Sequence, residues 1–452
     1  MTATPVGYFF YGEHYADLAA DGGGRVLRAG KPLEHPLFPQ EFGVLLFFLQ
    51  NPQKIVMRDT KVPKLPVLPK GHPGRPLDGC VQKINKKLRE GLDGVENVIK
   101  PVWGSGYRLI NTEVRIKYQH DSQEAVELLK ASDMHFRIHT VKALKLSLAQ
   151  AEEAIKINPT LDDAYVTAAY CELGLCQSAY CAAVPTDAMP IAKSRAMTAL
   201  DINRNNARAL GILGLYSMIY DYDWVQAEKG LKAALTLDPH EPGSLLAYAH
   251  LLVASGRSDE ALTVIDRAAV ADSTDRIVFA SWGWIYLFAG KTQKAVELCS
   301  KAVNLYPDLA PAHNLLGVAY EAVNDYDNAL KHYQESLDLE LAPATLAFLG
   351  HLYGKTGDHK SASGVLNKLT ELHKEGILSY LPGYCLALVN AGMGNRDKCL
   401  AELERAYSQH CDWLIHLSVD PRWAPLRKIK EFRALVKKVG IPLAQSPHRK
   451  ES

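Results

Sequence analysis

The most regular feature of this chain is a small side chain that returns every 34 positions: Ala227, Ala261, Ala295 and Ala329, then Ala362 after 33. Seven residues beyond the first four come Ala234, Ala268, Ala302 and Ser336. Twelve residues ahead of the central members stand Gly283, Gly317 and Gly350, each followed three positions later by Tyr286, Tyr320 or Tyr353. Small residues mark where helices must approach closely, aromatic ones fill the groove between them, and Pro239 and Pro307 end the unit because proline cannot continue a helix. The pattern predicts stacked helix pairs. One period further back lie Ala192 and Ala199, inside the helical stretch Ile191 to Ile202, and an earlier unit ends at Pro159. The region 176–190, with Pro185 and Pro190, takes up the extra spacing as an insertion. Seven repeats are expected over residues 138–374.

This cadence resembles the tetratricopeptide repeat, which implies a solenoid whose inner surface binds peptides or protein segments. The position after the repeat glycine faces that groove in the family, which here gives the row His250, Trp284, Val318 and His351. Two further segments follow. Tyr380 to Tyr407 reads as another helix pair around Gly392 and Gly394, and Pro421 to Val439 as a final amphipathic helix, so residues 375–452 are expected to form a helical extension capping the solenoid.

The amino-terminal quarter follows a different pattern. Residues 6–38 lack helical periodicity and alternate around glycine turns, as short antiparallel strands do. Pro39 then opens a helix with Phe42, Leu45, Leu46 and Leu49 at helical spacing, stopped by Asn51 and Pro52. From Arg75 to Glu90 a second helix carries Leu77, Val81, Ile84 and Leu88 on one face, with Gln82, Lys83, Lys86 and Arg89 on the other. Such a face fits either a DNA groove or plain solvent. A hairpin follows, Asn97 to Trp103 and Tyr107 to Ile110 around Gly104, Ser105 and Gly106.

The stretch Val102 to Leu109 resembles the wing of the OmpR/PhoB-type winged helix, and the order of sheet, helix, basic helix and wing is similar to that family over residues 1–112. The combination with helical repeats resembles the HilA-like bacterial activators, and the ending Asp420 to Arg427 with Phe432 resembles that of bacterial regulators carrying such repeats. The fold class expected is therefore mostly α: an amino-terminal α+β winged helix-turn-helix domain, a linker at 113–137, then an α-solenoid of tetratricopeptide-type helix pairs. The resemblance implies sequence-specific binding of double-stranded promoter DNA, a homodimer on DNA being one arrangement. The contacts would come from Arg75, Gln82, Lys83, Lys86, Lys87 and Arg89 on the helix and Lys100, Trp103, Ser105 and Arg108 on the wing. The prolines at 63, 66, 69, 73 and 76, and Trp103 where the family usually has arginine, favour the alternative of a scaffold whose amino-terminal domain contacts protein.

Charge adds to this picture. The chain of 452 residues has a net charge of +1, but residues 1–110 hold 15 basic against 10 acidic side chains and residues 54–108 hold 12 against 5. A basic segment of this kind attracts a polyanion modestly. No secretory start or membrane-length apolar run is visible, so a cytoplasmic protein is expected. Eight cysteines in such a chain suggest reduced thiols, and Cys171, Cys176 and Cys181, rotated about 140° from one another on a helix, suggest packing rather than metal binding. His135 and His139 share a helical face but lack a third ligand. No phosphate-cradling glycine loop, paired-histidine zinc motif or nucleophile elbow occurs, so neither enzyme activity, metal nor cofactor is expected.

Overall fold

The computed structural model describes residues 5–10, 14–17, 25–28, 31–33, 37, 39–50, 56–57, 76–89, 99–102, 106–109, 115–118, 121–271 and 276–442. The chain divides into two compact units, residues 1–127 with 153–161, and residues 128–152 with 162–452.

In the first unit, strands β1 (Pro5–Phe10), β2 (His14–Asp17), β3 (Arg25–Arg28) and β4 (Lys31–Pro32) precede helix α1 (Pro39–Gln50). Strand β5 (Val56–Met57), helix α2 (Pro76–Arg89) and strands β6 (Ile99–Val102), β7 (Gly106–Leu109) and β8 (Arg115–Tyr118) follow. The strands make an antiparallel sheet in the order β4-β3-β2-β1-β8 and a smaller one in the order β5-β7-β6. Phe42, Leu45, Phe48 and Leu49 of α1 bury against Leu77, Val81, Ile84 and Leu88 of α2, as their helical spacing dictates. Asn85 exchanges two hydrogen bonds with the backbone of Ile99, 2.8 and 3.0 Å long, and so ties α2 to β6.

Among the described residues the winged helix-turn-helix expected for this region is not seen, and the fold class of the chain is corrected to a tetratricopeptide-like α-solenoid. A helix-turn-helix sets one helix on a short turn before the recognition helix. Among the described residues, the two helices wholly within this unit are α1 and α2, and β5 lies between them. The proline-rich run up to residue 75 lies outside the described residues.

Antiparallel helix pairs then succeed one another: α3 (Asp121–Phe136) with α4 (Val141–Ile157), α5 (Asp162–Cys176) with α6 (Pro185–Ile202), α7 (Ala207–Ile219) with α8 (Trp224–Leu237) and α9 (Pro242–Ala254) with α10 (Ser258–Ala271). They continue with α11 (Arg276–Phe288) and α12 (Thr292–Leu305), α13 (Ala310–Ala322) and α14 (Tyr326–Leu339), α15 (Pro343–Lys355) and α16 (His359–Lys374), and α17 (Gly383–Gly392) and α18 (Arg396–Ser408). Two 3-10 segments, Asp412–His416 and Pro421–Leu426, and helix α19 (Lys430–Lys438) follow. The expected linker at 113–137 is thus corrected: it holds β8 and α3, and residue 138 falls inside the first pair rather than at its start.

The alanine cadence is the contact between helices. Ala227, Ala261, Ala295, Ala329 and Ala362 are all fully buried, as are Ala234, Ala268, Ala302 and Ser336. Glycine holds the facing position because nothing larger fits: a β-carbon on Gly317 would lie 2.6 Å from the ring of the fully buried Tyr333. Side-chain caps start several helices. Asn206, Asp223, Asp325 and Asp358 accept the amides of Ala209, Gln226, Asn328 and Ser361, each cap contributing about 1 kcal/mol. His139 does not share the helical face of His135. Helix α3 ends at Phe136, and His139 sits in the left-handed region at φ 55° while His135 meets Gln150 at 2.8 Å.

Within the second unit the first pairs meet the last. The Val141 amide donates to Glu340 at 3.0 Å, the Ser379 amide to the Cys181 carbonyl at 2.9 Å, and the Trp224 indole to the Val439 carbonyl at 2.8 Å. Ser178 gives both its amide and its hydroxyl to Asp412, at 3.1 and 2.7 Å. His410 stacks on Tyr220, with ring centroids 4.0 Å apart, and bonds its carbonyl at 2.8 Å. The solenoid is closed on itself.

Candidate functional site

Closure turns the concave groove into a cavity of 530 Å³. Its walls come from the first helix of successive pairs, α5, α7, α9, α11, α13 and α15, and from the loop after α3. Leu173, Leu215, Leu246, Ile277 and Leu315 give it apolar sides, and Phe136, Tyr170, Trp284, Phe348 and Trp413 aromatic ones. A cavity of this size and lining is of the kind that takes a small ligand or a short segment of chain, roughly 300–1,000 Å³.

The charges around it are unequal. Asp133, Asp238, Glu241, Glu340 and Asp412 reach the wall, against Arg137 and Arg208. The histidines add no positive charge near neutral pH: burial lowers His250 to about 4, and burial together with the charges of Arg276 and Arg137 lowers His139 to about 3. Burial likewise drives His416 well below its ordinary value, helped by His250 and Arg422. Burial raises Glu340 and Asp412, opposed by the amide of Val141 in the first and by Ser178 in the second. Four buried polar atoms around the cavity have no hydrogen-bond partner among the described residues: Trp284 Nε1, Asn314 Oδ1, Glu340 Oε2 and His416 Nδ1. Each such group costs on the order of 1–3 kcal/mol when left unpaired.

The floor of the cavity is the chain's own carboxy-terminal part. The 3-10 segment Asp412–His416 lies in the groove, where Trp413 packs against Phe348, Trp284 and Tyr384, with ring centroids 5.2, 5.6 and 5.5 Å apart. His416 meets His250 at 3.0 Å. The expected groove row therefore splits. His250 and Trp284 line the cavity, whereas the assignment of Val318 and His351 to an open groove is corrected, because both are buried. His351 pairs with Glu321 at 2.8 Å, and Val318 faces the space beside Pro421 and Arg422. Burial alone would raise Glu321, but His351, Arg422 and Lys355 outweigh it and hold its carboxyl down at about 2. Glu321 and Trp413 escaped sequence reasoning because their partners are distant in the chain.

In the first unit, Gln82, Lys83, Lys86 and Arg89 are exposed along α2. Lys87 was expected among the DNA contacts, and this is corrected: its ammonium lies 2.7 Å from the buried carboxylate of Glu41. Lys100 and Arg108 occupy paired positions on β6 and β7. Arg75, Trp103 and Ser105 lie outside the described residues.

Three family models match the chain, all described as tetratricopeptide repeat, over residues 219–280, 282–309 and 310–341. Residues 219–341 thus carry tetratricopeptide repeats. No curated protein matches. Among solved structures the chain is similar to the Cut9–Hcn1 hetero-tetramer of the APC/C, with 20% identity and a TM-score of 0.46 over 69% of this chain and 55% of that one. It is also similar to the human IFIT1 dimer with m7Gppp-AAAA, at 16% identity and a TM-score of 0.43 over 66% and 73%. A third is PilF of Pseudomonas aeruginosa, at 19% identity and 0.35 over 47% and 92%. All three family matches describe helical repeats and none a winged helix, so the expected promoter-binding regulator gains no support. No helix among the described residues is long and apolar enough to cross a membrane.

Proposed function

We propose that this chain is a non-enzymatic adaptor, working in the cytoplasm, whose repeat unit binds a short segment of a partner protein in its closed groove. The observation that supports this reading best is the 530 Å³ cavity walled by the inner helices. Apolar and aromatic walls suit a large apolar side chain, and the excess of carboxylates suits a positive charge beside it. Trp284 Nε1 and Asn314 Oδ1, one donor and one acceptor on the adjacent inner helices α11 and α13, match the two groups of a peptide bond. All eight cysteines are unpaired thiols, which is in keeping with a reducing compartment.

Panning a phage-displayed peptide library against the full chain tests this reading. Leu246 lies on the cavity wall and is half-buried, so Leu246→Trp fills the space. Selected peptides should carry an apolar residue next to lysine or arginine and should lose at least tenfold in affinity for a folded Leu246→Trp variant. No enrichment, or equal binding to both proteins, would overturn the reading.

A further inference from the structure

We propose that His313, His332 and Glu335, on the facing helices of the α13–α14 pair, form a site for a divalent transition metal, Zn²⁺ foremost. Three ligand atoms converge there: His313 Nδ1 lies 3.0 Å from Glu335 Oε2 and 3.3 Å from His332 Nδ1, and His332 Nδ1 lies 2.8 Å from the same carboxylate oxygen. Ligands about 2.0–2.1 Å from a tetrahedral ion stand about 3.3 Å from one another, so these separations fit one ion at their centre.

The protonation states point the same way. His313 Nε2 faces the carbonyl of Pro307 at 3.0 Å. A carbonyl can only accept, so Nε2 carries the hydrogen and the neutral ring turns the bare lone pair of Nδ1 toward the cluster. Holding the second ring nitrogen on a carbonyl is how proteins orient a metal-binding histidine. The His332 ring is fixed by parallel stacking on Tyr320, 5.6 Å away at 5°.

Without a cation the arrangement is poorly satisfied. One proton on His332 Nδ1 bonds the carboxylate, but the lone pairs of His313 Nδ1 and Glu335 Oε2 are then left 3.0 Å apart. A further proton on His313 Nδ1 turns that contact into an imidazolium–carboxylate pair but crowds two N–H groups 3.3 Å apart onto one oxygen. A divalent ion satisfies all three atoms at once. Two imidazoles and one carboxylate form a donor set of borderline softness that suits Zn²⁺ and its neighbours in the series rather than Mg²⁺ or Ca²⁺. Glu335 is 38% exposed, which leaves a fourth position open to water or to an exogenous ligand.

The test uses the full chain, freed of any polyhistidine tag and dialysed against a chelator. Zinc retained after desalting is measured by mass spectrometry, and Co²⁺ is titrated in its place and followed by visible absorption. The proposal expects one ion per chain, a ligand-field spectrum of low coordination number, and a higher melting temperature with Zn²⁺. In His332→Gln and Glu335→Gln the spectrum should vanish and the affinity should fall by more than the roughly 10–100-fold that a lost outer partner costs. The chain holds 16 histidines, so binding unchanged in both variants would assign the ion elsewhere and overturn the proposal. Absence of stoichiometric binding in the unaltered protein would overturn it equally. Because Glu335 lies at the surface, its variant keeps the test open even if His332→Gln fails to fold.

Discussion

Replacing Arg422 with methionine should be among the most damaging single changes in the repeat unit. Arg422 and Asp420 are 7% and 1% exposed, and the guanidinium gives the carboxylate three contacts of 2.7, 3.0 and 3.2 Å. Its plane also lies 4.1 Å from the centre of the Phe348 ring. Methionine keeps the apolar stem but strands the Asp420 carboxylate, whose remaining polar contacts are the Arg422 amide at 3.0 Å and the Tyr384 hydroxyl at 3.4 Å. Breaking a buried pair by removing one partner costs about 3–5 kcal/mol, whereas replacing both partners is far milder. Urea unfolding followed by far-ultraviolet circular dichroism, with the midpoint converted through the measured slope, reads the difference. Arg422→Met should lose about 3–5 kcal/mol, and Asp420→Asn combined with Arg422→Met should recover at least half of that. A single-variant loss below about 1 kcal/mol, or a double variant no better than the single one, would refute the reasoning, since surface pairs behave that way.

Other outcomes follow from the same geometry. Gly317→Ala should cost about 1–3 kcal/mol, because Tyr333 is fully buried and cannot retreat, while Gly364→Ala, with open space around it in α16, should gain about 0.5–1 kcal/mol; paired thermal melts separate them. Glu321 is held at about 2, below its ordinary 4.5, so its contribution to stability is present above pH 4.5 and is lost as pH falls toward 2. Glu321→Gln should flatten that part of the pH–stability curve, and an unchanged slope would count against the assignment. Seven cysteines are buried and only Cys80 is partly exposed, and burial raises the Cys80 thiol as well, with Glu41 adding to it. Iodoacetamide on the native protein should therefore add at most one label, at Cys80, by intact mass, with all eight reacting in guanidinium.

The repeat unit was legible because its helix contacts recur in sequence. A buried alanine every 34 residues is one physical event, the close approach of two helices, written five times over. Closure left no such trace. Ser178 and Asp412 are 234 residues apart, and no local pattern announces that they meet. For the same reason spacing alone sets His250, Trp284, Val318 and His351 on one face but gives no sign of the returning segment, which packs on His250 and Trp284 and brings Pro421 and Arg422 beside Val318. Residues 313, 332 and 335 were invisible as a cluster because His313 lies on the other helix of the pair. At the amino terminus the glycine hairpin and basic helix suggest a fold that the described residues do not show, and periodicity cannot reveal that Lys87 turns back to Glu41.

An open array of repeats tolerates units being added or dropped, because each one touches only its neighbours. This chain has given up that freedom. The bonds from Val141 to Glu340, Ser178 to Asp412 and Trp224 to Val439 act as the keystone of an arch, and an arch is cut for one number of stones. Deleting a single 34-residue unit would leave a gap that these side chains cannot span, so the length of the array is itself under constraint. Natural variation in this protein should therefore appear as substitution within repeats and as insertion at their outer loops, rather than as gain or loss of whole repeats.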